Sequence, residues 1–150
     1  MDAAPGRIQG LLLTDGYEQG FPHWQISSRG ELRLGVKIAT PAGALRPSGY
    51  GSPERFQPRR IGVWTCVATS YDAKEGKLRH FLDGIEVSSE TLVSRQPLRI
   101  GKADIGNWSS PLAQDPTPVR NFIGRIDELT LWNVALDERE LLKIHEATRP

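Results

Sequence analysis

One stretch of this chain constrains its fold more than any other, the nine residues ELRLGVKIA at 31–39. Apolar side chains occupy every second position of the stretch, at Leu32, Leu34, Val36 and Ile38. The positions between them are Arg33, Gly35 and Lys37. Because successive side chains of a β-strand point to opposite faces of a sheet, this period of two predicts a strand with one buried face. Such a sheet needs a second apolar layer, which the rest of the chain must supply.

Six further segments show strand-like patterns, and turn residues separate them. They are 10–15, 23–27, 62–72, 77–82, 85–89 and 97–103. The pair Asp83-Gly84 is typical of a tight hairpin turn between two of these strands. Two stretches rich in proline, 40–60 and 104–121, are predicted to be long surface loops.

The carboxy-terminal segment FIGRIDELTLWNVALDERELLKIHE, 122–146, begins as a strand and ends as a helix. Its apolar alternation slips by one residue between Ile126 and Leu129, which predicts a β-bulge that re-aims Asp127. Asp137 and Glu140 have the spacing of a helix capping box. Many strands and one short helix predict an all-β sandwich. We expect its inner surfaces to be supplied by Leu32, Leu34, Val67, Ile100, Ile126 and Leu131.

Composition limits the classes of function. The chain has 150 residues and a net charge of +1, so no overall field points to nucleic acid or to an anionic membrane. Its single cysteine, Cys66, excludes an intramolecular disulfide and a thiolate metal cluster, and its apolar neighbours predict a buried side chain. No apolar stretch is long enough to span a bilayer, and no export signal opens the chain.

Four stretches, taken in this order, resemble the laminin-G-like group of concanavalin A-type jelly rolls. They are LLLTDGYEQGFPHWQISSRGELRLGV, VWTCVATSYDAKEGKLRHFLDGIEV, PLRIGKA and GRIDELTLWNVALDERELLKIHE. The resemblance implies one antiparallel two-sheet jelly-roll sandwich over 1–150 with a single carboxy-terminal helix. The first stretch is similar to a bacterial branch found in large envelope proteins, which implies an extracytoplasmic or cell-surface location as part of a larger protein.

The resemblance also implies an incomplete sandwich. Members of the group begin with further strands before the position that matches LLLTDG, and those strands are absent here. The chain is then either a fragment or a shortened jelly roll in which a central strand position has become an edge. Dimerisation or strand exchange through that uncovered edge is the expected way to cover it.

The strand HWQI places His23 and Gln25 on one face and Trp24 on the other. In jelly-roll lectins the concave sheet is where sugars lie, so the resemblance implies His23 and Gln25 as candidate hydrogen-bonding residues, and a solvated strand face is the alternative. Sugar sites also need flat apolar rings. The candidate rings in predicted loops and turns are Tyr17, Tyr50 and Trp108, although a loop aromatic can equally cover a core edge. Packed or core positions are expected for Trp24, Trp64, His80 and Trp132.

The resemblance implies one metal. A last-strand aspartate of this kind can help to hold a structural calcium ion, so Asp127 is a candidate ligand and Asp15 a candidate partner. The alternative is that Asp127 bonds to the backbone or to Arg125.

Related glycoside hydrolases carry E-x-D-x-x-E on one strand, where alternation aligns the acids. This chain has only the adjacent pair Asp127 and Glu128, which would point to opposite faces. The chain is therefore not expected to be an enzyme. The first hypothesis is a recognition module for carbohydrate or glycoconjugate. The alternatives are a protein-interaction or assembly module without a sugar site and, more weakly, a hydrolase remnant.

Overall fold

The protein is described by a computed structural model in which residues 6–16, 18–56, 62–108 and 120–148 are described. Those residues form eight β-strands followed by one α-helix. The strands are β1 (Gln9–Thr14), β2 (Pro22–Ile26), β3 (Leu32–Ala39), β4 (Leu45–Gly51), β5 (Val67–Asp72), β6 (Lys77–Leu82), β7 (Ile85–Thr91) and β8 (Ala103–Ile105). The helix is α1 (Glu138–Thr148).

The strands form two antiparallel sheets. The larger sheet has the order β4-β3-β2-β1-β8, and the smaller has the order β5-β6-β7. Every ladder between named strands is antiparallel. The predicted all-β sandwich with a terminal helix is confirmed, and its architecture is that of a concanavalin A-like jelly roll.

The core lies between the sheets, as the alternation of β3 predicts. Leu32, Leu34, Val36 and Ile38 are all buried. From the smaller sheet, Leu78, Phe81 and Leu82 are buried. Each such side chain contributes about 1.5–3 kcal/mol when it is removed from water, so these layers supply most of the free energy that holds the sheets together.

A polar chain crosses this core. The Trp24 indole Nε1–H donates to Thr69 Oγ1 at 2.8 Å, and the Thr69 hydroxyl lies 2.8 Å from His80 Nδ1. His80 Nε2 lies 3.3 Å from the Tyr50 carbonyl oxygen. The packed position expected for His80 is confirmed. Burial lowers the pKa of His80 to about 4, against a smaller upward effect of the Tyr50 hydrogen bond, so the ring is neutral at neutral pH.

The prediction of a long loop over 40–60 is wrong at its centre, which forms the strand β4. This strand pairs with β3 from Ala39↔Leu45 to Arg33↔Gly51. A tight turn closes this hairpin, with Gly43 in the left-handed region at φ 80°. β4 is an edge strand, and an edge strand tolerates a proline such as Pro47 because one side of its backbone needs no partner. Tyr50 is consequently a core residue and does not lie in a loop.

Three predicted strand regions are not strands. β5 starts at Val67 rather than at 62, the predicted strand 97–103 is a strand only at Ala103, where β8 begins, and 122–136 forms no strand. The bulge predicted near Asp127 is therefore wrong, because no neighbouring strand is present there to be bulged against. Because these segments are not strands, three residues expected on the inner surfaces are exposed, namely Ile100, Ile126 and Leu131. Trp64 and Trp132, expected in the core, are exposed for the same reason. Val67 is half-buried and Cys66 is also only half-buried.

The helix begins as predicted. The Asp137 N–H donates to Glu140 Oε2 and the Glu140 N–H donates to Asp137 Oδ1, each at 2.9 Å, which is a reciprocal capping box. Glu138 Oε1 accepts a hydrogen bond from the Glu86 N–H of β7 at 2.8 Å. The predicted turn is present at Asp83-Gly84, and a Cβ on Gly84 would lie 2.7 Å from the Leu142 Cα. The helix therefore packs directly on this turn. No helix among the described residues is long and apolar enough to cross a membrane.

Candidate functional site

The alternation of β2 places two polar side chains on the outer face of the larger sheet. Trp24 points inward, so its neighbours His23 and Gln25 point outward. His23 lies between Leu13 of β1 and Gly35 of β3, and Gln25 lies between Gly10 and Arg33. Both are nevertheless buried rather than solvated, so another part of the chain covers this face.

That cover comes from two segments on the far side of β1. The Gly10 N–H donates to the Arg120 carbonyl oxygen at 2.8 Å, and the Arg120 N–H donates to the Trp108 carbonyl oxygen at 3.3 Å. A Cβ on Gly10 would lie 3.1 Å from the Arg120 carbonyl oxygen and 3.3 Å from that of Asn107. Glycine at position 10 therefore permits the close approach that brings Trp108 and Arg120 onto the outer face.

His23, Gln25, Trp108 and Arg120 form what we call the outer cluster. The Arg120 Nη1 donates to Gln25 Oε1 at 3.0 Å and lies 3.4 Å from His23 Nδ1. Its guanidinium carbon lies 4.6 Å from the centre of the Trp108 ring, within the range of a cation–π contact. The His23 and Trp108 rings meet edge to face, with centroids 5.3 Å apart at 64°. The guanidinium is thus held on three sides.

Histidine 23 is a neutral hydrogen-bonding group in this cluster. Its Nε2 lies 3.0 Å from the Thr14 carbonyl oxygen, so the pattern assigns the proton to Nε2 and leaves Nδ1 as the acceptor facing Arg120. Burial lowers the pKa of His23 to about 4, opposed by the Thr14 hydrogen bond and assisted by the charges of Arg120 and Lys37. The ring is therefore uncharged at neutral pH and accepts from Arg120 through Nδ1.

Three cations surround this face of the sheet. Arg120 is half-buried, and Arg33 and Lys37 of β3 point to the same outer side. Arg33 lies across Gly49 of β4, where a Cβ would lie 2.5 Å from Arg33 Nη2. Asp104, opposite Leu13 in the ladder, places one carboxylate at the β8 margin of the same face. An anion that approaches the centre of the face would meet guanidinium and ammonium groups first.

The indole nitrogen of Trp108 is a buried donor. Its Nε1–H makes no hydrogen bond to a described residue. An unsatisfied buried donor costs on the order of 1–3 kcal/mol.

Three of the five candidate binding residues therefore come together, namely His23, Gln25 and Trp108. Tyr50 lies on the opposite, inner side of the sheet, where its hydroxyl accepts the Val93 N–H at 3.0 Å. Tyr17 lies outside the described residues. Trp108 is in a loop as expected but is buried. Sequence reasoning missed Arg120, because it follows a proline-rich stretch in which no periodic pattern indicates where a side chain points.

The candidate calcium ligands are not assembled into a site. Asp15 forms an ion pair with Lys102, with Oδ2 and Nζ 3.2 Å apart, while Asp127 is exposed in the segment that follows the outer cluster. The described residues contain no group of three or more histidine, cysteine, aspartate or glutamate side chains that could hold a metal ion. Because calcium requires six to eight oxygen ligands, these two carboxylates as placed do not fit it, and calcium binding stays an untested prediction.

The chain resembles known proteins at the level of family and fold. The laminin-G-type family described as the Concanavalin A-like lectin/glucanases superfamily matches residues 3–142. No curated protein matches the chain significantly.

Similar solved structures include the CBM40 domain of the Ruminococcus gnavus IT-sialidase, at 18% identity and a TM-score of 0.64 over 96% of this chain and 77% of that one. The same domain bound to α2,3-sialyllactose gives 18% identity and a TM-score of 0.68 over 96% and 77%. Bound to α2,6-sialyllactose it gives 18% identity and 0.65 over 96% and 78%. Likeness at this identity shows a shared fold.

Proposed function

This chain belongs to the Concanavalin A-like lectin/glucanases superfamily, and we propose that it is a non-catalytic module that binds carbohydrate on the outer face of its larger sheet. The observation that carries the proposal is the Arg120 guanidinium, which is held against the Trp108 ring and hydrogen-bonded to Gln25. A guanidinium held in a fixed orientation presents hydrogen-bond donors that a sugar can use.

His23 and Gln25 support this site from below. Both are buried and both already face Arg120 or the backbone, so their role is to hold the guanidinium in position. The groups that touch the sugar are then Arg120 and the flanking side chains of Arg33 and Lys37.

The ligand class that suits this surface is an acidic glycan. Arg120, Arg33 and Lys37 converge on one face, and planar guanidinium groups pair well with carboxylates through paired hydrogen bonds. The likeness to a CBM40 domain solved with two sialyllactoses, each of which bears a carboxylate, supports this choice. An extracytoplasmic or cell-surface location agrees with such a ligand and belongs to the same proposal.

The sequence supports a binding role without catalysis. Glycoside hydrolysis by retention needs two carboxylates about 5–5.5 Å apart across the bond to be cleaved. The E-x-D-x-x-E pattern that supplies them in related hydrolases is absent, and the adjacent acids Asp127 and Glu128 are exposed outside any strand.

The test is calorimetric titration of the protein with 3′-sialyllactose and with lactose as the neutral counterpart. We expect sialyllactose to bind and lactose to bind at least about 10-fold more weakly, because one charge-assisted pair contributes about 1.5–3 kcal/mol. Arg120→Ala should remove the preference, whereas Arg139→Ala, which removes an exposed cation on α1, should leave it intact.

Three results would count against the proposal. Equal binding of both sugars would refute the acidic preference while leaving a sugar site. No binding of either sugar, or unchanged affinity in a folded Arg120→Ala protein, would refute the assigned site. The alternative of an interaction or assembly module is favoured by a separate observation, the exposed apolar side chains around 123–134.

A further inference from the structure

The two sheets of the sandwich differ in width, and contacts between them fix how they are aligned. Trp24 of β2 contacts Thr69 of β5, and the Tyr50 carbonyl of β4 contacts His80 of β6. The Gly51 N–H of β4 donates to Glu90 Oε1 of β7 at 2.7 Å. The three-stranded sheet therefore faces β2, β3 and β4, and β1 and β8 extend beyond it.

The free side of β5 borders the part of the larger sheet that the smaller sheet does not face, and we call this side of β5 the open edge. Within the described chain, β5 pairs with β6 alone. Val67 and Tyr71 pack against the core, yet every β5 residue except Ser70 is only half-buried. In β6, which has a neighbour on both sides, Leu78, His80, Phe81 and Leu82 are all buried.

Apolar side chains lie exposed beyond the open edge. Ile105 of β8 pairs with the buried Leu12 and so belongs to the inner face of the sheet, yet it is 57% exposed. Ile126, whose Cδ1 lies 3.5 Å from where a Cβ on Gly106 would be, is exposed beside it. In an intact sandwich both positions would be covered by the opposite sheet.

Residues 124–134 are a second region that lacks a pairing partner among the described residues. Phe122 packs in the core near Leu11, and the chain then runs to the helix that packs on the β6–β7 turn. Over 124–134 no backbone hydrogen bond joins the segment to another described residue. Leu131, Trp132 and Val134 are more than half exposed. A stretch with a strand-like sequence is thus left with neither a ladder nor a covered face.

We propose that a second copy of this chain completes the sandwich by strand exchange, with its residues 124–134 added to the open edge of the first copy. Within the described chain, each copy offers a strand-like segment without a ladder together with the open edge, so a twofold arrangement satisfies both reciprocally. An exposed edge with apolar surroundings is a template for such pairing.

A standard interface buries about 800 Å² on each partner. The apolar side chains available to it are Ile105, Ile126, Leu131, Trp132 and Val134, each at least 40% exposed. The pairing surface lies on the opposite side of the larger sheet from the outer cluster, so the two proposals are independent.

The test is light scattering during size exclusion, together with hydrogen exchange, on the full chain. We expect a dimer whose amides in 67–72 and 124–134 become protected as the protein concentration rises. Leu131→Lys should raise the dimer dissociation constant at least about 10-fold, because it places a charge in the new core. Leu45→Lys is the matched control, since Leu45 is similarly exposed on β4, at the other end of the larger sheet. Arg120→Ala should leave the dimer intact.

Each other outcome contradicts the inference. A monodisperse monomer with rapid exchange in both segments would show that the edge stays open. A monomer with both segments protected would show that something other than a second copy pairs with them. A dimer weakened equally by Leu45→Lys and Leu131→Lys, or by neither, would place the interface elsewhere.

Discussion

The two faces of β2 carry clusters of the same residue types with different surroundings. On the inner face, Trp24, Thr69 and His80 link the two sheets through hydrogen bonds inside the apolar core. On the outer face, His23 and Trp108 surround the guanidinium of Arg120. In each cluster the histidine pKa is lowered to about 4, chiefly by burial. Burial alone therefore does not distinguish a packing cluster from a candidate binding site, whereas a held cation does.

The largest expected effect is on the free energy of unfolding, which a substitution in the inner cluster should lower more than one in the outer cluster. Trp24→Ala should lower the free energy of unfolding by about 3–5 kcal/mol, since it removes a large core side chain and leaves the Thr69 hydroxyl short of a partner. Trp108→Ala should cost less, about 1–3 kcal/mol, because Trp108 packs on Arg120 and His23 outside the two apolar core clusters. Urea denaturation measures both. Equal losses would show that the outer cluster is as much a part of the core as the inner one.

The next effect is on the pH dependence of stability. Because the folded pKa of both histidines lies near 4 and the unfolded value near 6.5, the unfolded chain binds more protons between those values. Stability contributed by the neutral rings is complete above pH 6.5 and falls as the pH drops towards 4. For His80 the loss is up to roughly 3 kcal/mol.

Urea midpoints between pH 7.5 and 4 would measure this slope. His80→Asn and His23→Gln should each flatten it, while His145→Gln on α1 serves as the control. A slope that survives both cluster substitutions would mean that carboxylates, not these rings, control the acid sensitivity.

A smaller effect tests the geometry of Arg120. Arg120→Lys keeps the charge but loses the planar group that stacks on Trp108 and reaches Gln25. We expect affinity for 3′-sialyllactose to fall about 3–10-fold, with the free energy of unfolding changed by less than about 1 kcal/mol. Titration calorimetry and denaturation on the same preparation measure both quantities. Full affinity in the lysine variant would mean that charge alone matters.

The smallest expected effect concerns calcium. Since Asp15 pairs with Lys102 and Asp127 stands apart, we expect the melting temperature with excess calcium and with chelator to agree within about 1 °C. A rise of several degrees, abolished by Asp127→Asn, would restore the calcium site implied by the family resemblance.

The sequence predicted the fold where a pattern and its partner were both local. The alternation of Leu32 to Ile38, the Asp83-Gly84 turn and the Asp137–Glu140 cap were all recognisable, because each depends on a few neighbouring residues. β4 was missed because pairing with β3 overrides the turn propensity of its proline and glycines. For residues 122–136 a strand was predicted where none forms. Apolar alternation shows that a segment is able to form a strand, but not that a neighbouring strand is present to pair with it.

The site was predictable to the same extent. Strand alternation alone correctly placed His23 and Gln25 on the face away from Trp24. Arg120 was not predictable, because a backbone hydrogen bond to Gly10, 110 positions earlier in the chain, brings it to the site. Contacts between distant segments decide which loop residues complete a site, and neither composition nor period records them.

The hydrogen bond from the Glu86 amide to Glu138 has a consequence for the limits of assembly. It places the start of α1 beside the first residues of β7, at one end of the far margin of the smaller sheet. β4 carries Pro47, and β8 is only three residues long. Within the described chain, the free side of β5 is then the long margin with neither a proline nor a helix beside it. Growth from a single such margin stops at a closed pair and does not continue into a fibre.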